Sequence, residues 1–175
     1  MNGNTVVLFD GTDDTLLSTT LTVSANFYVL VVTKLTTSRM LLEHGTDINN
    51  VDGFSIWSDY NRNIMIRRSP NVYYVTGTTS PGAWIGTSNT IVSWSYGSSV
   101  KKYYKNLNEV TQVGMVDQSP TGNTTQTLHL MSRNGNQLYN AGQLGLIVVQ
   151  SGDATLPYLK RINHCAAFSF KIACS

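Results

Sequence analysis

The carboxylates are considered first, because a pair of them is what hydrolysis of a glycoside requires. Retaining glycoside hydrolysis uses two carboxyl groups about 5–5.5 Å apart. The two glutamates of this chain, Glu43 and Glu109, lie in different segments, and no Glu-x-Asp pair places two carboxylates on one face of a strand. The sequence therefore predicts that the protein is not a glycosidase.

The three histidines are scattered in the same way. His44, His129 and His164 lie in separate segments, and no G-x-S-x-G nucleophile elbow is present. No two Cys or His residues have the spacing of a zinc site, and His164 beside Cys165 does not form one. We expect structural histidines and a protein that is not an enzyme.

Cys165 and Cys174 are the two cysteines, which is too few for a disulfide framework. We expect ordinary buried thiols. The alternative is a bond across a bend, since the two residues are strand-like and close in sequence.

Aspartates supply the candidate metal ligands. Asp10, Asp13 and Asp14 follow the first predicted strand, and calcium prefers oxygen ligands in loops. Capping and Asx-turn hydrogen bonds explain the same cluster equally well. Asp47 and Asp52, in the segment GTDINNVDG, form an equally good calcium site on sequence alone. No other cofactor is predicted.

Several aromatic and polar residues near strand ends could form a sugar-binding platform. A pyranose stacked on an indole buries apolar C–H surface and leaves its hydroxyls for neighbouring polar side chains. The alternative is that these rings pack into the core, as expected for Trp94, or into a subunit interface. The candidates are Trp57, Asp59, Tyr60, Asn61, Trp84 and Tyr96.

Short β-branched and aromatic runs separated by turn residues predict an all-β, two-sheet antiparallel sandwich. The run Phe27 to Val32 is apolar on both faces, which predicts a central strand. Residues 90–96 alternate, with Val92 and Trp94 on one face and Ser93 on the other. Strands are predicted at 5–9, 27–34, 39–44, 53–58, 63–68, 71–76, 89–96, 99–105, 126–131, 142–149 and 166–172.

One short C-terminal helix is predicted over 156–162, where Asp153 could cap its first turn. In the pairs Tyr73-Tyr74 and Tyr103-Tyr104 one ring faces outward and needs a cover, such as a neighbouring chain.

Composition narrows the class of protein. The chain of 175 residues fits one domain over 1–175. Charged residues make up 13%, the net charge is +2, and Thr, Ser and Asn supply 54 of the 175 residues. The scattered basic residues predict no nucleic-acid binding. No apolar run approaches the roughly 18 residues of a transmembrane helix, and the N-terminus does not resemble a secretory signal.

The order of motifs resembles the laminin-G-like domains of the concanavalin A-like lectin/glucanase superfamily. LFDGTDD at 8–14 is similar to the family's first strand and turn, MLLEHG at 40–45 to its ILSKG step, and GFSIW at 53–57 to its GFSLW strand. The segments 92–106, 127–135, 142–151 and 156–162 resemble the later hairpin, strands and short helix. Leu107 stands where the family has Gly, and Lys102 stands where an apolar strand residue is usual. These departures predict a wider turn in the 92–106 hairpin.

The resemblance implies a jelly-roll sandwich, and many members hold calcium at the sandwich rim. Its hydrolases carry an E-x-D-x-x-E pattern, which is absent here. Similar compact domains occur in bacteriophage particles, so the first hypothesis is a non-enzymatic virion protein, used as capsid decoration (cement) or in a head or tail fibre. It would be made in the host cytoplasm without a signal peptide and displayed on the virion exterior. Its partners would be capsid or tail proteins and further copies of itself, with no membrane insertion. The alternative is a lectin-like module that binds a cell-surface glycan.

Overall fold

The computed structural model describes residues 3–37, 39–45, 54–57, 64–68, 72–76, 88–96, 102–109, 123–133, 135, 137–152 and 155–170. Within these ranges the chain forms two six-stranded sheets and one helix. Sheet 1 has the order β1 (Val7–Asp10), β12 (Ala141–Ser151), β3 (Phe27–Leu35), β8 (Thr90–Tyr96), β9 (Lys102–Lys105), β10 (Asn108–Glu109). Sheet 2 has the order β2 (Leu16–Val23), β11 (Thr124–Leu130), β4 (Met40–His44), β5 (Phe54–Trp57), β6 (Ile64–Arg68), β7 (Val72–Thr76).

All paired strands in both sheets run antiparallel. The predicted two-sheet antiparallel sandwich is therefore confirmed.

The main core lies between the sheets. Val92 and Trp94 of β8 face it, as their alternation predicts, and Trp94 is only 2% exposed. Phe54 of β5 enters from the other sheet, and its ring stacks on Phe27 with the centroids 4.4 Å apart. Burial of each such side chain contributes about 1.5–3 kcal/mol to folding.

A second core lies on the outer face of sheet 1, beneath helix α1 (Leu156–Phe170). Tyr28 and Leu30 of β3 are buried there, so β3 is covered on both faces as predicted. Tyr104 is also buried against the helix. The expected cover for this ring is therefore the chain's own helix and not a neighbouring molecule.

The C-terminal prediction was wrong in extent. The helix continues to Phe170, so residues 166–170 do not form the predicted strand, and residues 171–172 lie outside the described ranges. The buried positions Leu159, Asn163, Ala166, Ala167 and Phe170 recur at helical spacing on one face. The segment 166–170 ends in Phe-Ser-Phe, an alternation typical of a strand, so the helical spacing is not evident from the sequence there.

Two strands were missed. β2 is rich in Thr and largely exposed, so it carries little of the apolar signal that marks the other strands. β10 follows β9 through a two-residue turn in which Asn106 and Leu107 have φ values of 46° and 72°. Leu107 thus occupies a tight turn between β9 and β10. The turn of the 92–106 hairpin, which is predicted to be wide, lies outside the described residues.

No helix in the described part of the chain is long and apolar enough to cross a membrane.

Candidate functional site

The strand directions define two ends of the sandwich. At one end, here called the Asp10 end, β1 and β3 finish, β4 and β12 begin, and β5 finishes at Trp57 opposite Met40. The opposite end, here called the Phe27 end, contains the start of β3, the finish of β4 at His44 and the start of β5. Any site formed by strand ends belongs to one of these two surfaces.

A compact acidic turn lies at the Asp10 end. Asp10 Oδ1 accepts a hydrogen bond from the Thr12 amide at 2.7 Å, and Asp14 Oδ2 accepts one from the Asp10 amide at 2.8 Å. Gly11, at φ 85°, lies against Ala141, where an added Cβ would come within 2.9 Å of the alanine Cβ. The turn is therefore held by its own carboxylates and by a close backbone approach that requires glycine.

The same turn brings three carboxylates together. One oxygen from each of Asp10, Asp13 and Asp14 lies within 4.8 Å of the others. The three calcium candidates of the sequence analysis therefore lie in one cluster, while calcium binding by them stays a prediction. Two of them already accept backbone amides, so the hydrogen-bond explanation also fits the geometry.

Most of the predicted sugar-binding residues belong to chain segments anchored at the Asp10 end. Trp57 is the last residue of β5. Asp59, Tyr60 and Asn61 lie outside the described residues, in the connection from Trp57 to the start of β6 at the same end. Trp84 also lies outside them, in the connection from Thr76 to Thr90, which leaves and re-enters the sheets at this end.

The remaining candidates belong to the other end. Tyr96 finishes β8 opposite Phe27, at the Phe27 end. Asp47 and Asp52 lie outside the described residues, in the connection between His44 and Phe54, which starts and finishes there. The strand ends therefore separate Tyr96 from Trp57, and these two residues do not flank one site.

A row of polar residues that the sequence did not reveal crosses the centre of sheet 2. His129 of β11 lies opposite Glu43 of β4, which lies opposite Ser55 of β5. All three residues are buried. Burial lowers the pKa of His129 below its usual range, which favours the neutral ring. The three residues are recognised as neighbours only from the pairing register of the strands, which the sequence alone does not provide.

The glutamates do not form a pair. Glu43 is buried at the centre of sheet 2, whereas Glu109 is exposed in β10 at an edge of sheet 1. Carboxylates in different sheets do not provide the close pair that a retaining glycosidase needs.

The histidines and cysteines are also dispersed. His44 is buried, with Nε2 2.9 Å from the Leu21 carbonyl oxygen and its ring stacked on Phe54. His164 is exposed on α1. Cys165 is a free thiol and is exposed, so the prediction of a buried thiol is wrong for this residue. It lies on the outward face of the helix, and Cys174 lies outside the described residues.

These features define a jelly-roll β-sandwich of the concanavalin A-like class. No protein-family model matches the chain, and no curated protein matches it. Solved structures do match it, at low sequence identity.

Domain 4 of AbnA, a GH43 extracellular arabinanase from Geobacillus stearothermophilus in complex with arabinotriose, has a TM-score of 0.63 and 19% identity, over 92% of this chain and 82% of that chain. Domains LG4-5 of the mouse laminin alpha1 chain give a TM-score of 0.65 and 10% identity, over 83% of this chain and 40% of that chain. The Ruminococcus gnavus IT-sialidase CBM40 bound to alpha2,3 sialyllactose gives 0.58 and 14% identity, over 81% of this chain and 83% of that chain. These similarities show the shared fold.

Proposed function

We propose that this chain is a non-catalytic carbohydrate-binding module whose glycan site lies at the Asp10 end. The observation that carries the proposal is that the strand ends flanking the segments with Asp59, Tyr60, Asn61 and Trp84 lie at the same end of the sandwich as the acidic turn at Asp10. These strand ends are Trp57, Ile64, Thr76 and Thr90. The solved AbnA domain with arabinotriose and the CBM40 domain with sialyllactose support the proposal, because they share this fold at nearly full length.

The residue types suit a sugar. An indole presents a flat apolar surface to the C–H face of a pyranose, while an adjacent amide and carboxylate bind its hydroxyls. Trp57 and Trp84 are assigned the stacking role, and Asp59 and Asn61 the hydrogen-bonding role. The module binds without chemistry, in line with the separation of Glu43 from Glu109.

The proposal requires no metal ion. Asp10 and Asp14 accept amide hydrogens of their own turn, and these bonds account for its shape.

Glycan binding is tested by screening the purified chain against an oligosaccharide array that includes arabinotriose and sialyllactose. Calorimetry then measures the affinity of any hit. We expect Trp57→Ala and Trp84→Ala each to weaken binding by about tenfold or more, which is about 1.4 kcal/mol. Tyr96→Leu, at the Phe27 end, is the matched control and leaves the affinity unchanged. Binding that survives both tryptophan changes, or an array without any hit, contradicts the proposal.

A second candidate is a virion structural protein of a bacteriophage, used as capsid decoration or in a head or tail fibre on the particle exterior. The observation that favours it is the exposed apolar residues on the two edge strands β1 and β2, because such surfaces mark sites of protein association. Adhesion to capsid or tail proteins would gain avidity from repetition over the particle. Both functions can coexist in an adhesin that binds a host-surface glycan.

Quantitative mass spectrometry of purified particles tests this candidate. Many copies of the chain on each particle would indicate capsid decoration, and a few copies would indicate a fibre. Absence of the chain from particles contradicts the candidate and leaves the glycan proposal untouched.

A further inference from the structure

The large apolar residues that remain exposed are concentrated on one side of the sandwich. In the described part of the chain six large hydrophobic side chains are exposed, and four of them lie on β1 and β2. Val7 and Leu8 of β1 are 44% and 67% exposed, and Leu16 and Leu17 of β2 are 41% and 59% exposed. We call these four residues the apolar side.

The apolar side is also where both sheets have an open edge. β1 is the first strand of sheet 1 and pairs with β12, and β2 is the first strand of sheet 2 and pairs with β11. Residues 11–15 connect the two strands directly, and Ser151 Oγ at the end of β12 donates to the Thr22 carbonyl at 3.2 Å. The two edges therefore lie side by side, each with one row of backbone amides and carbonyls facing away from its sheet.

The usual protection of a sheet edge is weak on β2. Edge strands normally avoid pairing through charged side chains, prolines, short length or a bulge. β2 has eight residues, LLSTTLTV, without a charge or a proline. Its one protective feature is a bulge at Ser18 and Thr19, where the Ser18 hydroxyl accepts the Leu128 amide at 3.0 Å. Thr20–Val23 remain regularly paired with β11 beyond the bulge.

We propose that a second copy of this chain docks on the apolar side, with the Thr20–Val23 segments of two β2 strands paired antiparallel about a two-fold axis. Each copy then extends sheet 2 of the other, and the leucines at 16 and 17 pack at the margins of the paired segment. The proposal does not depend on glycan binding.

A second copy fits this side for three reasons. An antiparallel copy of the same edge supplies carbonyls for the outward amides and amides for the outward carbonyls. The Thr22 carbonyl, which accepts from Ser151 Oγ, has a second lone pair for such a bond. The strand that pairs carries no like charges that would repel, because no charged residue occurs from Thr15 to Thr33, and the acidic turn at Asp10 lies before β2 begins. Pairing also covers apolar surface, since Leu16 and Leu17 are 41% and 59% exposed in the single chain.

The opposite edge of sheet 1 differs in each respect. β10 has two residues, both exposed, and one of them is the charged Glu109. It therefore offers a matched position for a control substitution.

The test is the mass of the full chain in solution, measured by sedimentation equilibrium over the micromolar range. We expect the wild type to reach twice the 19.2 kDa of one chain. Leu17→Lys and Thr20→Lys place a charge at the contact in both copies and should each raise the dimer dissociation constant by about tenfold or more. Asn108→Lys adds the same charge to β10 and should leave the dimer intact.

Two further measurements distinguish loss of the dimer from loss of the fold and locate the contact on β2. Circular-dichroism melting verifies that each lysine variant is folded, which is expected because positions 17 and 20 are exposed. Amide hydrogen exchange at Thr20–Val23 should slow as the protein concentration rises in the wild type, and not in the variants. A wild type that stays monomeric overturns the proposal, as do assemblies that grow beyond the dimer, a dimer insensitive to both lysines, and a dimer broken by Asn108→Lys.

Discussion

The Ser93 hydroxyl donates a hydrogen bond to Asn163 Oδ1 at 2.9 Å and so joins the centre of sheet 1 to the middle of α1. Both residues are buried, and Asn163 Nδ2 also donates to the Leu159 carbonyl at 2.8 Å. This polar link fixes the position of the helix over a surface that is otherwise held by non-directional apolar contacts.

The first prediction concerns this link. Asn163→Ala leaves the buried Ser93 hydroxyl without its acceptor and should lower the free energy of unfolding by about 1–3 kcal/mol. The measurement is chemical denaturation followed by circular dichroism. His164→Ala changes the next, exposed residue and should stay within about 0.5 kcal/mol of the wild type. Equal losses in the two variants would show that the link does not stabilise the fold.

The core could be predicted from local alternation, but the site could not. The alternation of Val92, Ser93 and Trp94 is enough to place one face inward, because a strand has a period of two. Which candidates share an end depends on the direction of every strand. Each antiparallel strand reverses the chain, so overlooking the Thr-rich β2 assigns Asp10 and Trp57 to opposite ends. The structure places them at the same end.

The second prediction concerns Gly142 of β12, whose backbone lies close to that of the paired strand β3. Gly142 has a φ of 149°, and an added Cβ would lie 2.3 Å from the Lys34 carbonyl oxygen. Gly142→Ala should therefore cost more than the roughly 1–3 kcal/mol of backbone strain alone. Gly152→Ala is the matched control, because Gly152 also has a positive φ but open space around it. Similar melting temperatures for the two variants would contradict the predicted clash.

The third prediction separates the two explanations of the acidic turn. Asp14→Ala removes the acceptor of the Asp10 amide, whereas Asp14→Asn keeps an oxygen at that position. Both variants remove one charge from the cluster, so their difference reports the hydrogen bond. We expect the alanine variant to be less stable than the asparagine variant by about 0.5–1.5 kcal/mol, equally in chelator and in calcium.

Thermal melting with and without calcium provides the measurement for the turn. A resident cation would give a different pattern, because a ligand that binds only the folded state raises its stability. Calcium would then stabilise the wild type, and both Asp14 variants would lose that gain. This pattern would replace the hydrogen-bond explanation with a metal site.

The last prediction concerns pH and His129. Burial holds the pKa of His129 below its ordinary value of 6.5, so the unfolded chain takes up a proton at a higher pH than the folded chain does. The contribution of His129 to the free energy of unfolding is therefore fully present above about pH 6.5. It is lost as the pH falls from 6.5 towards the lower pKa that His129 has in the folded chain. His129→Gln should flatten the dependence of the unfolding free energy on pH in this window. Asn108→Gln, at an exposed position on β10 and without a titratable group, should leave the slope unchanged. Denaturation at a series of pH values measures both slopes, and an undiminished slope in His129→Gln would assign the acid sensitivity to other groups.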